Sequence, residues 1–129
     1  MRAAESADAS ALAYLGDAVI ELWVRERLVR AGVCGPRELH EQAKGYVTAP
    51  AQAAAMKRIL PLLDDEENMV FHRGRNTGHT SLPKNSTAAE YRAASGMEAL
   101  FGWLYLSGRD ERIAELLETG YKIQNTVHT

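Results

Sequence analysis

The 129-residue chain is long enough to enclose one hydrophobic core and too short for two independent cores, so we expect residues 1–129 to form a single domain. Hydrophobic residues make up 46% of the chain and charged residues 25%, which excludes an intrinsically disordered protein. The net charge of −2 neither favours nor excludes nucleic-acid binding. The single Cys34 excludes an internal disulfide framework and indicates a reducing, cytoplasmic compartment. No apolar run is long enough to cross a membrane, and the N-terminus lacks the apolar centre of a signal peptide.

Helical spacing of apolar residues recurs along the chain, whereas no convincing stretch alternates with the period of two that strands need. The first predicted helix covers residues 10–30, with Ser6, Asp8 or Ser10 as its N-cap and Gly32 just beyond its end. Further helices are predicted over residues 36–46, 48–60, 64–76, 87–106 and 110–124. The one long break, residues 76–86, is rich in Gly, Pro, Ser, Thr and Asn. We therefore expect an all-α bundle of about six helices.

Two of the predicted helices are strongly apolar, and each carries one acid in its middle. Asp17 lies in "ALAYLGDAVIELWV", which reads as a buried helix, and Glu98 lies in "GMEALFGWLYL". An ionised carboxylate in apolar surroundings is costly unless it is paired or coordinates a metal. The two acids are therefore candidates for one shared partner. The alternative is that each acid caps a helix or forms an ion pair nearby.

Small residues share a helix face with both acids, since side chains three or four positions apart lie together. Ala13 shares the face of Asp17 and Gly16 adjoins it, while Ser95 and Gly102 lie on the face of Glu98. Small residues let helices cross closely, and a close crossing would bring the two carboxylates within reach of one cation. Mg²⁺ prefers oxygen ligands and keeps several waters, so a few protein carboxylates suffice to bind it.

The segments around the two acids resemble a known family. "YLGDAVIELWVRERL" resembles the first signature of ribonuclease III catalytic domains, and "EYRAASGMEALFGWLYLSG" resembles their second acidic helix. Their order, their helical context and their separation by about 80 residues agree with the family. The short length, with no double-stranded-RNA-binding domain after residue 129, points to the Mini-III subfamily, as does "RGRNTGHTSLPKNSTAAEYRAASG". The resemblance covers nearly the whole chain and implies the all-α bundle of a ribonuclease III endonuclease domain.

The resemblance also implies an activity: a Mg²⁺-dependent endoribonuclease that cuts double-stranded RNA as a homodimer. Its natural substrate would be the precursor of large-subunit (23S) ribosomal RNA, in a bacterial cytoplasm or a plastid stroma. A ribosomal protein that presents the substrate is a further candidate partner. Asp17 and Glu98 match the family's two central catalytic and metal-binding acids.

The chain departs from the larger ribonuclease III enzymes at two positions, which Mini-III enzymes share. Ala13 stands where those enzymes carry Glu, and Ser95 stands where they carry Asp. Fewer protein ligands remain, so more of the metal's ligands should be water. Tyr14 matches the aromatic residue that inserts into the partner subunit in ribonuclease III dimers, although it could also be an ordinary core or surface tyrosine.

Residues 72–92 form a basic segment, which contains four Arg or Lys residues and one acid. Its local charge is therefore about +3, as expected of a segment that binds phosphates. Duplex RNA is recognised mainly by its shape and through phosphate and 2′-hydroxyl contacts. The alternative is a solvated surface loop. The RNA-binding candidates are Arg73, Arg75, Lys84 and Asn85, with Lys44 and Gln52 as weaker candidates.

Other polar residues have ordinary interpretations beside functional ones. Glu21 is either a support for the metal site or an ion-paired helix acid, and Ser95 either bonds a metal-bound water or is a plain helix serine. Three of the four histidines, His40, His72 and His79, do not form a zinc-binding spacing with Cys34.

Two other functions compete with the nuclease. The first is a non-catalytic RNA- or ribosome-binding module with the same fold, and the retention of both acids argues against it. The second is an all-α nucleotide pyrophosphohydrolase, which would need acids in Glu-X-X-Glu spacing. The nearest candidates, Asp64–Glu67 and Glu115–Glu118, are predicted to lie at the surface.

Overall fold

A computed structural model describes residues 7–76 and 86–122 of the chain. Over these ranges the backbone forms six α-helices and one short 3₁₀ helix, Leu60–Leu62, with no strand. The prediction of an all-α fold is confirmed. The helices are α1 (Ala9–Arg30), α2 (Pro36–Val47), α3 (Ala49–Ile59), α4 (Asp65–Arg75), α5 (Ala88–Leu106) and α6 (Asp110–Gly120).

Side-chain caps fix the starts of the helices that carry the candidate acids. Asp8 caps α1, where its carboxylate accepts a hydrogen bond of 2.7 Å from the backbone N–H of Ala11. Thr87 and Glu90 form a reciprocal capping box at the start of α5, with hydrogen bonds of 3.0 and 2.9 Å. Each cap satisfies backbone N–H groups that the first turn of a helix leaves unpaired.

The last helix ends four residues earlier than the sequence pattern predicts. The backbone turns extended at Tyr121, whose ring is buried and whose hydroxyl donates a hydrogen bond of 2.8 Å to the carbonyl of Tyr46. The carbonyl of Gly120 accepts two hydrogen bonds, of 2.9 and 2.7 Å, from the guanidinium of Arg58. These tertiary contacts end α6 at Gly120, although the periodic pattern of the sequence continues to residue 124.

Helix α5 is the centre of the fold and packs against α1, α3, α4 and α6. Its crossing with α1 leaves no room for side chains at two glycines. A Cβ added at Gly16 would lie 1.6 Å from the carbonyl oxygen of Glu98, and one added at Gly102 would lie 2.0 Å from the carbonyl oxygen of Leu12. The predicted close crossing of the two acidic helices is therefore confirmed.

Helix α1 is buried along one face only, which corrects the expectation of a wholly buried helix. The sequence is apolar around most of the helix, but α1 lies at the side of the bundle and has neighbours on one face. Its buried residues follow a spacing of four: Leu12, Gly16, Ile20, Val24 and Leu28. Its exposed large apolar residues are Tyr14, Leu22 and Val29, with 86%, 68% and 59% of their surface accessible.

Candidate active site

A cleft of about 380 Å³ lies beside the α1–α5 crossing and is closed on its third side by α3. Asp17 reaches it from α1 and Glu98 from α5. Glu98 is the residue whose backbone carbonyl touches Gly16, and Gly16 directly precedes Asp17. The glycine contact between the two helices therefore places the two carboxyl groups next to each other.

The two acids differ in exposure, and the negative charge of one disfavours ionisation of the other. Asp17 is exposed, contrary to the expectation of a buried acid, and Glu98 is half-buried. Burial raises the pKa of Glu98 to about 7, helped by the negative charge of Asp17 and by a hydrogen bond between the two side chains, while the Gln52 amide acts in the opposite direction. Near neutral pH the pair therefore holds a proton for part of the time, and a bound cation would compete with that proton.

The donor set fits a hard divalent cation that keeps most of its water. Within the described ranges, no group of three or more His, Cys, Asp or Glu side chains could hold a metal, so the pair contributes two carboxylates and no third acid. Ala13 and Ser95 line the same cleft without adding a charge. Two carboxylates plus waters are a usual arrangement for Mg²⁺ and an unusual one for zinc. The metal-binding role of Asp17 and Glu98 stays a prediction.

Gln52 is the residue of the cleft whose importance the sequence interpretation missed. The sequence predicts only a weak RNA contact for it, yet just 2% of its surface is accessible and its amide lies by the carboxylate of Glu98. The sequence carries a signal for this role, because positions 52, 55, 56 and 59 form one face of α3 and three of them are apolar. A glutamine on that face needs a polar neighbour.

Tyr14 and Lys44 lie differently with respect to the cleft. Tyr14 stands on its rim, 86% exposed. Lys44 is on the exposed side of α2, forms an ion pair of 3.6 Å with Glu41, and does not line the cleft. The exposure of Tyr14 excludes an ordinary core tyrosine, whereas the ion pair of Lys44 favours its surface interpretation.

The predicted RNA-binding residues are only partly within the described chain. Arg73 and Arg75 belong to the last turn of α4 and do not line the cleft. The guanidinium of Arg73 donates a hydrogen bond of 3.3 Å to the carbonyl of Ala7. Lys84 and Asn85 lie outside the described residues, so their roles stay predictions, as do those of Arg73 and Arg75.

The remaining polar candidates fit their ordinary interpretations. Glu21 forms an ion pair of 2.6 Å with Arg25, one turn further along α1. His40 and His72 are absent from the cleft lining, and His79 lies outside the described residues.

The prediction that the acidic cluster Asp64–Glu67 lies at the surface is wrong for Glu67. Glu67 is fully buried, and the guanidinium of Arg112 reaches it from α6 with hydrogen bonds of 2.8 and 2.7 Å. Burial alone would raise the pKa of Glu67, but the hydrogen bonds from Arg112 and from the backbone N–H of Asp64 outweigh it and lower the pKa. Glu115 and Glu118 are exposed as predicted and pair with arginines. Because Glu67 is already paired with Arg112, this cluster is a poor site for a metal–nucleotide complex.

Comparison with known proteins decides between the competing families. Residues 10–109 match the ribonuclease III domain. The chain belongs to the ribonuclease III family. Similar proteins include Mini-ribonuclease 3 of Symbiobacterium thermophilum, 48% identical over 83% of this chain and 82% of that protein, and Mini-ribonuclease 3 of Brevibacillus brevis, 45% identical over 87% and 84%. The resemblance to the Mini-III subfamily is thus confirmed, and the chain is an endoribonuclease of the ribonuclease III type.

A solved structure supports the same fold. The crystal structure of a protein from Fusobacterium nucleatum superposes with a TM-score of 0.80 at 31% identity, over 88% of this chain and 90% of that one. None of the helices described for this ribonuclease III family member is both long and apolar enough to span a membrane.

Proposed function

We propose that the chain hydrolyses double-stranded RNA in the Asp17–Glu98 cleft and requires Mg²⁺ for it. The observation that carries the proposal is the adjacency of these two carboxyl groups at the glycine-lined crossing of α1 and α5. The Ala13 and Ser95 positions leave room for water around the pair. Family membership supports the type of reaction, and the carboxylate pair supports the cleft as the site of cleavage.

Asp17 and Glu98 would hold the ion directly or through its waters, and neither acts as the nucleophile. The chemistry that the bound ion supplies is activation of the attacking water and compensation of the charge that grows on the phosphate and on the leaving 3′ oxygen. The α1–α5 crossing keeps both carboxylates in place, because backbone atoms of the two helices are already in contact there. The half-buried position of Glu98 limits its freedom to turn away from the site.

Phosphate contacts would come from the basic segment between α4 and α5. Arg73 and Arg75 end α4, and Lys84 and Asn85 follow before α5 carries the chain back to Glu98. A local charge of about +3 in a chain of net charge −2 is suited to phosphates, which dominate the binding of duplex RNA.

A second copy of the chain is the partner that the exposed face of α1 fits. Tyr14, Leu22 and Val29 are large, apolar and exposed, and their spacing of eight and seven residues keeps them within about 80° of one another around the helix. Tyr14 also stands on the rim of the cleft. A symmetric dimer through this face would therefore place two cleavage centres close to one duplex.

The natural substrate that we infer is the precursor of 23S ribosomal RNA, in the bacterial cytoplasm. The similarity to bacterial Mini-ribonuclease 3 proteins supports the subfamily on which this inference depends. A ribosomal protein that presents the precursor is a further proposed partner.

One set of parallel assays tests the proposal. The purified protein is incubated with an end-labelled RNA duplex, with each strand alone, with a DNA duplex of the same sequence and with nucleoside triphosphates, in Mg²⁺ or in EDTA. We expect cleavage of the RNA duplex alone, and only with Mg²⁺. Duplex binding without cleavage would identify a non-catalytic binding module, and nucleotide hydrolysis without RNA cleavage would identify a pyrophosphohydrolase.

A further inference from the structure

The Gln52 amide is a buried donor that lies close enough to the Glu98 carboxylate to lower its pKa, yet completes no hydrogen bond of ordinary geometry with it. Only 2% of the residue is accessible, and its Nε2 is the buried side-chain polar atom that lacks a hydrogen bond within the described part of the chain. Buried amide donors are almost always paired, because an unpaired donor loses its bonds to water without replacement. The exception requires an explanation.

Gln52 is the polar residue on the otherwise apolar buried face of α3. Its neighbours on the buried face of α3, Ala55, Met56 and Ile59, are apolar and belong to the core. Gln52 is the first residue of that face and lines the cleft with Asp17 and Glu98. An apolar side chain would be the ordinary choice for stability at this position.

The chemistry of the cleft gives the amide a function. An ionised carboxylate only accepts hydrogen bonds, so Asp17 and Glu98 cannot satisfy each other once a cation replaces their shared proton. An oxygen of Glu98 then needs a donor, and the Nε2 group of Gln52 is a donor without another partner. Donors that hold metal-binding carboxylates in one orientation commonly raise metal affinity.

We propose that Gln52 is a positioning residue of the cation site: its Nε2–H donates to the ionised carboxylate of Glu98 and fixes the orientation in which Glu98 binds the divalent ion. This inference rests on the proposed function, in which Asp17 and Glu98 hold that ion. In this role Gln52 acts through Glu98, and with 2% of its surface accessible it is too deeply buried to reach a duplex.

Thermal stability distinguishes this positioning role from a purely structural role of Gln52. Gln52→Met keeps the length and approximate volume of the side chain and removes the amide. If the amide holds the fold together, the metal-free variant should melt at a lower temperature. If it is kept for the cation site, the metal-free variant should melt at the same or a higher temperature, because an unpaired buried donor has been removed.

The experiment measures Mn²⁺ binding to the full chain by the loss of the electron paramagnetic resonance signal of the free ion, with Mn²⁺ as a substitute for Mg²⁺. The matched control is Gln42→Met, the same change on α2, where Gln42 is exposed and donates to Glu38 at 2.9 Å. We expect Gln52→Met to bind Mn²⁺ about tenfold more weakly than the wild type, and Gln42→Met to bind it equally well. With duplex RNA at limiting Mg²⁺, kcat should fall about tenfold and KM should stay within about twofold.

The outcomes separate this inference from the function on which it rests. A loss of Mn²⁺ affinity smaller than about fivefold in Gln52→Met, with the wild type binding normally, overturns the inference and leaves the proposed function intact. Absence of Mn²⁺ binding by the wild type overturns the metal site itself, and the inference with it. If Gln52→Met loses its helical circular dichroism, Gln52→Asn is judged by the same criterion, since it keeps the amide but withdraws it from Glu98.

Discussion

Replacing Gly16 with alanine should separate the two helices that carry the candidate catalytic acids. The new Cβ would lie 1.6 Å from the carbonyl oxygen of Glu98 and 2.8 Å from the backbone nitrogen of Gly102. Both obstacles are backbone atoms, so no side chain can rotate away. Restoring a contact of about 3.0 Å requires α1 and α5 to move apart by about 1.4 Å.

The cost of this separation follows from two opposing effects. Overpacking of a close contact costs about 1–3 kcal/mol, and a contact between two backbones belongs at the upper end of this range. Alanine recovers about 1 kcal/mol because glycine is a poor helix former. The net loss is about 2 kcal/mol, which lowers the melting temperature of a domain of this size by roughly 6–10 °C.

Thermal unfolding measures this loss, and Gly45→Ala is the matched control. Gly45 lies in α2, and a Cβ added there would meet nothing within 4 Å, so the control should gain up to about 1 kcal/mol from helix propensity. Because the carboxyl groups move with their helices, Gly16→Ala should also bind Mn²⁺ more weakly. A Gly16→Ala variant as stable as the wild type, or stabilised like Gly45→Ala, would refute the close crossing as the feature that builds the site.

Three further predictions concern assembly, RNA binding and pH. Tyr14→Ala should weaken the dimer in sedimentation experiments while leaving helical circular dichroism unchanged; a fully active wild-type monomer at micromolar concentration would contradict the dimer. Neutralising Arg73, Arg75 and Lys84 should weaken duplex binding at low salt and lower the slope of log affinity against log salt by roughly one unit per lost phosphate contact; an unaltered slope with changed thermal stability would show that these residues only support the fold. Because the folded protein raises the pKa of Glu98 from 4.5 to about 7, the metal-free fold is favoured by this group at low pH and loses that contribution, of the order of 3 kcal/mol, as the pH rises from about 4.5 to 7. Glu98→Gln should remove this dependence from melting temperatures measured across that pH range, and an equally steep dependence in the variant would refute the raised pKa.

The parts of the fold that depend on local chemistry could be predicted from the sequence. Helix starts were predictable because a cap such as Asp8 acts within one turn of its helix. The α1–α5 crossing was also predictable, because small residues stand beside the acids: Gly16 adjoins Asp17, and Gly102 lies one turn after Glu98. The family resemblance then gave the reaction type, and the comparisons confirm an endoribonuclease of the ribonuclease III type.

The features that depend on contacts between distant residues could not be predicted in the same way. The burial of Glu67 requires Arg112, which is 45 residues away in the chain and reaches it from another helix. The end of α6 depends on the burial of Tyr121 against Tyr46. The exposure of one apolar face of α1 depends on which sides of the bundle have neighbours, and apolar residues such as Leu22 carry no signal of that.

The proposed function requires that Asp17 and Glu98 together hold the ion that drives RNA cleavage. The most direct measurement compares Asp17→Asn and Glu98→Gln with the wild type in duplex cleavage at limiting Mg²⁺ and in duplex affinity, using the same preparations. Each amide keeps the shape of the side chain and removes its charge. We expect a loss of cleavage of about a hundredfold or more in either variant, with the duplex affinity and the fold retained. Wild-type cleavage rates in either variant would contradict it.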